Sequence, residues 1–388
     1  MLSFCIGRIE TEFIREIIGW VNSILVKKTQ FQVAQHLVGI ESCVQDVKSL
    51  LDMEKNESTC MVGIFGIGGI GKTTLAKAIY NSIASQFESS CFLENIRETS
   101  KQKGLIDLQN KLLSTILGDS SLIVDNVNQG ITLIKQRLHL IRILLVLDDV
   151  DHSDQLEKIV EKGDWFGLGS RIIITTRNKH LLTKHQVHPY EMKELGHDKA
   201  LQLFSWHAFN AQEPNDDYEK VTKAVVHYAR GLPLALTKLG SALKGRDILY
   251  WKSKLDEYKI IPHNDILKNF RISFDGFDEN TKNIFLDIAC FFEGENVEYV
   301  TKILDSTHGL PSRSGIEELM DMCLVSQSYN KLLKMNTLIQ EMGREIVRQE
   351  SVNEPGKRSR LWSPEDVRDV LERNSVKIPF NFTFFFFS

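Results

Sequence analysis

The chain has no C-x-x-C pair, no apolar run long enough for a bilayer, no large excess of one charge and no internal repeat. Each absence removes a class of protein. The six cysteines (Cys5, Cys43, Cys60, Cys91, Cys290, Cys323) are scattered, several of them in apolar runs. Such spacing suits reduced, buried thiols in a cytosolic or nuclear protein, not a disulfide framework or a zinc site. A membrane span needs roughly 18 to 20 apolar residues in a row, and none is present. The opening MLSFCIGRIETE brings Glu10 and Glu12 too early for a signal peptide, so the sequons at Asn56 and Asn381 carry little weight. The net charge of -4 and pI near 6.3 speak against a generally basic nucleic-acid binder. No period of 20 to 50 residues marks a repeat array.

What is present is 388 residues at 42% hydrophobic content, enough for two or three domains with their own cores. Residues 9 to 27 read as an amphipathic linker helix, with Ile9, Phe13, Ile17, Val21 and Ile24 on one face. Its polar face mixes acids and bases, which disfavours a membrane-surface helix. The runs CMVGIF (60 to 65), ILLVLDD (143 to 149) and RIIITT (171 to 176) are nearly continuous in apolar residues. That suits strands covered on both faces, hence a parallel sheet flanked by helices. From about Leu195 the pattern turns helical, with Asp198 as a candidate cap for the first helix and a second helix stopping at Gly231. Later helices lead to a strand pair around Tyr329-Asn330, a winged-helix arrangement. The ending KIPFNFTFFFFS breaks every earlier pattern and reads as a truncated or mis-spliced end, against a short apolar tail that docks on the protein.

Gly66 to Thr73, GIGGIGKT, matches G-x-x-x-x-G-K-[ST] between an expected strand and a helix carrying Leu75, Ile79, Ile83 and Phe87. Gly66, Gly68, Gly69 and Gly71 let the backbone approach phosphates, and the helix start adds positive potential. Lys72 is expected at the terminal phosphates and Thr73 on Mg²⁺, with Thr74 a further expected nucleotide-binding residue. Asp148 ends a buried strand and is expected as the second Mg²⁺ holder; Asp149 is placed to position a water for attack on the γ-phosphate. Arg177 suits γ-phosphate sensing by its planar head. Pro233 in GLPLAL sits well in the first turn of a helix.

GIGGIGKTT, FLENIRE, LLVLDDV, GSRIIITTR, GLPLAL and FLDIACFF occur in one order. In that ordered set the chain resembles the NB-ARC region of plant disease-resistance receptors of the nucleotide-binding, leucine-rich-repeat class, over roughly residues 30 to 375. Asp151 after LDDV and the form of FLDIACFF resemble the TIR-type branch. The resemblance implies an α/β P-loop NTPase domain (parallel sheet flanked by helices), then a helical ARC1 domain and a winged-helix ARC2 domain. The expected boundaries are a linker helix at 1–36, the P-loop nucleotide-binding domain at 37–193, ARC1 at 194–264, ARC2 at 265–375 and a Phe-rich tail at 376–388. It further implies ADP bound at rest and ATP on activation, with Mg²⁺ and slow hydrolysis at most. Val38 and Gly39 would line the adenine pocket and Pro233 would touch the nucleotide. It implies a role in defence signalling, a cytoplasmic and also nuclear location, and self-association or association with other immune receptors.

The departures from the family are also expectations. Neither a TIR domain nor leucine-rich repeats are visible, so NAD cleavage is not expected. The family's Met-His-Asp motif reads Met335-Asn336-Thr337, which removes the histidine that meets the ADP β-phosphate. Asn336 and Thr337 are thus degenerate sensor positions; Thr337-Leu338-Ile339-Gln340 fits a capping box, and Asn336 is also an acceptable cap or turn residue. Three other readings stand beside the switch: an ordinary ATPase with turnover, DNA binding through Arg344, Arg348, Lys357, Arg358 and Arg360, and a truncated or pseudogene product that keeps nucleotide binding without signalling. For the basic cluster a solvated face outweighs nucleic-acid binding, because affinity needs several phosphate contacts.

Overall fold

A computed structural model describes residues 31–33, 36–55, 57–119, 121–161 and 163–373. The helix expected at 9 to 27, the Phe-rich ending and both sequons, Asn56 and Asn381, lie outside the described residues. The chain forms two compact units. One holds residues up to Gly66 with Gly71–Lys193; the other holds Ile67–Ile70 and the chain from Glu194.

The first unit is built on five strands: β1 Cys60–Phe65, β2 Ser89–Leu93, β3 Ile143–Val150, β4 Arg171–Thr176 and β5 His188–Glu191. Their order is β2-β3-β4-β1-β5 and every pairing is parallel. Ile143 to Leu147 are fully buried, as the continuous apolar run requires of a strand with helices on both faces. The helices are α1 Ile40–Leu51, α2 Lys72–Ile83, α3 Ile96–Lys103, α4 Leu105–Leu117, α5 Val127–Leu138, α6 Ser153–Ile159 and α7 Lys179–Lys184. Leu75, Ile79 and Ile83 of α2 join Val62, Ile64, Val146 and Ile173 of the sheet in one core. Phe31 fastens the segment before α1. Its ring packs on Tyr80 and Phe92, and its backbone exchanges two hydrogen bonds with the Asn81 amide.

The second unit begins with four helices: α8 His197–Phe209, α9 Glu219–Ala229, α10 Pro233–Leu243 and α11 Ile248–Ile260. Trp251 is buried at their centre against Phe204, Phe209 and Tyr218, and its indole N–H donates to the Leu243 carbonyl. The cap of α8 differs from expectation: Gly196 precedes the helix and Asp198 lies inside its first turn. An acid there still complements the helix dipole. Next come α12 Asn264–Asp275, α13 Glu279–Asp287, α14 Val297–His308 and α15 Arg313–Asp321. The motif FLDIACFF does not stay α-helical: Ile288–Phe292 widens into a π turn after α13. The wing is a two-stranded antiparallel pair, β6 Ser326–Gln327 and β7 Leu333–Lys334, flanking Tyr329-Asn330. Helices α16 Thr337–Glu350 and α17 Pro364–Glu372 follow. Among the described residues no helix is long and apolar enough to cross a membrane.

Candidate functional site

The phosphate loop leaves β1 and enters α2. Gly71, the residue before α2, has φ +103°, a left-handed conformation that glycine adopts without steric cost. The turn carries Lys72 and Thr73 into the first helical positions. Lys72 is buried, and its ammonium donates to the Gly66 carbonyl at 2.8 Å. Thr73 donates its hydroxyl to Asp148 Oδ1 at 2.8 Å. Thr74 is half-buried beside it.

A bulge in β3 aims the two aspartates. The β3–β4 register pairs Leu147 with Ile174 and then Val150 with Thr176. Asp148 and Asp149 therefore stand opposite the single residue Thr175. The extra residue bends the strand end, and Asp149 takes φ +58°. Thr175 serves both: its hydroxyl donates to Asp148 Oδ1 at 2.7 Å and accepts from the Asp149 backbone N–H at 2.9 Å. Burial pushes the Asp148 carboxyl up from its ordinary value, opposed by the hydrogen bonds from Thr175 and Thr73.

Asp149 has its own partners. Arg97 of α3 donates to Asp149 Oδ2 through Nε at 2.9 Å and through Nη2 at 2.8 Å. Arg177 Nε stands 3.8 Å from Oδ1. All three side chains are about four-fifths buried or more. Burial lowers the Arg177 pKa, and the Asp149 charge opposes that.

Lys72, Thr73, Asp148, Asp149 and Arg177 thus belong to the first unit, the middle three around one hydroxyl–carboxylate network or its neighbour. Val38 and Gly39 immediately precede α1, where Gly39 takes φ +75°. Other candidates belong to the second unit. Pro233 opens α10, and the next residue, Leu234, donates its N–H to the Gly69 carbonyl at 3.1 Å. A Cβ on Gly69 would stand 2.7 Å from the Leu234 side chain, so this glycine is fixed by close approach as well as by φ +81°. Gly68 lies between Ile67 and Gly69 in the same short segment.

At the altered sensor the cap sits one residue earlier than the capping-box reading. Asn336, not Thr337, is the N-cap of α16: its Oδ1 accepts from the Leu338 N–H at 3.0 Å. Its Nδ2 donates to Glu194 Oε1 at 3.3 Å. A short amide one residue before the helix has the reach that the cap bond needs.

Arg97 and Thr175 are not among the residues singled out from the sequence, though FLENIRE and RIIITTR contain them. Their role depends on a bulge, and no local pattern announces which strand will bulge. Among the described residues no group of three His, Cys, Asp or Glu side chains gathers for a metal. Thr73 and Asp148 stand side by side as oxygen donors that could hold a divalent ion.

The NB-ARC domain family matches residues 40–214, and the winged-helix domain of Roq1-like disease resistance proteins matches residues 278–351. Disease resistance protein RPV1 of Vitis rotundifolia is 45% identical over 94% of this chain and 26% of its own length. TMV resistance protein N of Nicotiana glutinosa is 39% identical over 94% of this chain and 32% of its own length. The chain therefore spans about a quarter to a third of these relatives. Among solved structures, a Walker-type ATPase of Pyrococcus abyssi shares the fold, with TM-score 0.58 and 14% identity over 80% of this chain and 97% of that one. The chain thus carries an NB-ARC domain followed by the winged-helix domain of Roq1-like disease resistance proteins, and along most of its length it is similar to plant disease resistance proteins.

Proposed function

We propose that this chain is an ADP/ATP-binding switch of a plant innate immune receptor, holding ADP at rest and exchanging it for ATP when defence signalling is activated. The observation that carries the reading is the network in which Lys72 and Thr73 leave the glycine-rich turn and Thr73 meets Asp148. Each group in it has a task suited to phosphate. Backbone N–H groups of Gly66 to Thr73 would cradle the phosphates at the start of α2. Lys72 would exchange its bond to the Gly66 carbonyl for phosphate oxygens. Thr73 and Asp148 offer hard oxygen donors side by side, which fits Mg²⁺. That ion, bound with the nucleotide, supplies positive charge against the phosphates.

Asp149 is the residue for orienting an attacking water. A carboxylate held by Arg97, with Arg177 close by, cannot also serve a water freely, which supports slow hydrolysis in place of rapid turnover. Arg177 is the residue for sensing the γ-phosphate. Asn336 and Thr337 stand where the family has a histidine and an aspartate, so the ADP state is expected to be held less tightly. Losing a charged bond of about 1.5 to 3 kcal/mol does not invert a switch that needs about 5.5 kcal/mol to pass from 99:1 to 1:99. Self-association and association with other immune receptors belong to the same reading.

The test is to purify the chain and identify its nucleotide. Bound ADP is expected, and Lys72→Ala is expected to lose it. Recovery of nucleotide-free protein with no measurable ADP affinity would sink the proposal.

A further inference from the structure

The five cations noted after Asn336 do not form one solvated face. Arg358 is almost fully buried and donates to the Ser351 carbonyl at 2.8 Å, the Val352 carbonyl at 3.0 Å and Asp366 Oδ2 at 2.6 Å. Arg360 is also buried, paired with Asp287 at 2.6 Å. Lys357 pairs with Glu354. Arg358 and Arg360 hold the end of the winged-helix segment together, while Lys357 is exposed.

Arg344 and Arg348 are placed differently. The Nε of each is buried and has no hydrogen-bond partner. Arg348 does reach Glu345 and the Ile260 carbonyl through Nη2. Both arginines line a cavity of about 300 Å³, together with Lys259, Arg358, Glu341 and Trp362. The cavity lies within the second unit, between the end of α11 and the outer turns of α16.

The charges around it do not balance. Asp366, the other acid on the wall, is already engaged by Arg358. Glu341 accepts from the Tyr228 hydroxyl at 3.0 Å, and burial raises its pKa to about 7, so its charge is incomplete at neutral pH. Lys259 pairs with Asp256 and Arg348 with Glu345, so among the described residues Arg344 is the cation on the wall that has no ion-pair partner. A buried donor without an acceptor is costly. Water in the cavity would hydrate the Arg344 head group and leave its charge; an anion meets both needs. Guanidinium groups and phosphate oxygens match in geometry, and a compact cavity favours a small ligand over a long polymer.

We propose that this cavity binds a small phosphate-bearing anion through Arg344, Arg348 and Lys259, separately from the phosphate loop. Such a ligand would tie the last helix of the helical segment to α16 of the winged helix.

Inorganic pyrophosphate is the probe, titrated calorimetrically into the ADP-saturated chain and into Lys72→Ala. One saturable site is expected in both proteins, and the Lys72→Ala arm keeps the test independent of the nucleotide reading. Arg344→Gln is expected to weaken pyrophosphate binding by about tenfold or more, with ADP affinity unchanged. Lys259 is 56% exposed, so Lys259→Ala leaves the fold alone and is expected to weaken binding by about threefold. Absence of saturable binding in both proteins overturns the proposal. So does binding that both cavity variants leave unchanged, or binding that ADP or Lys72→Ala removes. A stronger response to a short DNA duplex, or to vesicles containing phosphatidic acid, would overturn the assignment to a small soluble anion.

Discussion

Arg97 places two nitrogens on one oxygen of Asp149 while Arg177 stands near the other. A charge-assisted bond of that kind, largely out of water, is worth about 1.5 to 3 kcal/mol. Arg97→Gln frees the carboxylate and is expected to raise steady-state ATP turnover by about tenfold. Asp149→Asn should lower turnover and remove the effect of Arg97→Gln; equal turnover in Arg97→Gln and the parent chain would show that Asp149 is not restrained. The sensor position yields a second residue-scale expectation. Replacing Asn336 and Thr337 with histidine and aspartate should slow ADP release, measured by displacement of a fluorescent ADP analogue. The histidine need not disturb α16. His152 and His263 already cap helices here, each ring Nδ1 accepting from a backbone N–H at 3.3 Å. Unchanged release kinetics would reduce the pair to a helix cap.

The bulge in β3 works as an element, because one hydroxyl on β4 serves both bulged residues. Thr175→Val keeps the shape and removes the hydroxyl, leaving the Asp149 N–H and one Asp148 bond unmade. A loss of about 1 to 3 kcal/mol in urea unfolding is expected, with weaker Mg²⁺-dependent nucleotide binding. The packing of α16 on the π turn is as demanding. A Cβ on Gly343 would stand 2.6 Å from the Ala289 Cβ and 3.1 Å from the Phe285 ring. Alanine gains about 1 kcal/mol of helix propensity over glycine in an open helix. Here neither Cβ can rotate away, so Gly343→Ala is expected to be net destabilising by about 1 to 3 kcal/mol, read from the urea midpoint. A stabilised variant would mean that the two segments separate easily.

At the scale of the whole molecule, stability should depend on pH through Glu341. Burial raises its folded pKa from 4.5 to about 7, against the Tyr228 hydrogen bond and the charges of Arg344, Arg230 and Arg348. The folded state binds this proton more tightly than the unfolded chain does. Its stabilising contribution is therefore full below about pH 4.5 and is lost as pH rises through about 7. Thermal melts should fall between pH 5.5 and 8 by a few degrees, roughly 2 to 4 °C per kcal/mol, and Glu341→Gln should fall less. An equal fall in both would place the titration elsewhere. The sequence by itself determined the parallel strands, the phosphate loop and the helical run into a winged helix, because periodicity and glycine spacing are local and repeat along the chain. It also marked Asp148, Asp149 and Arg177, which end apolar strands. Only the tertiary structure decided that Asp149 is held by Arg97, that Thr175 joins the two aspartates, and that the basic cluster after Asn336 divides into ion-paired side chains and Arg344, which lines a cavity without an ion-pair partner. Those relations join residues tens of positions apart, and strand register, a bulge and burial set them; none of these is a property of a short stretch of sequence.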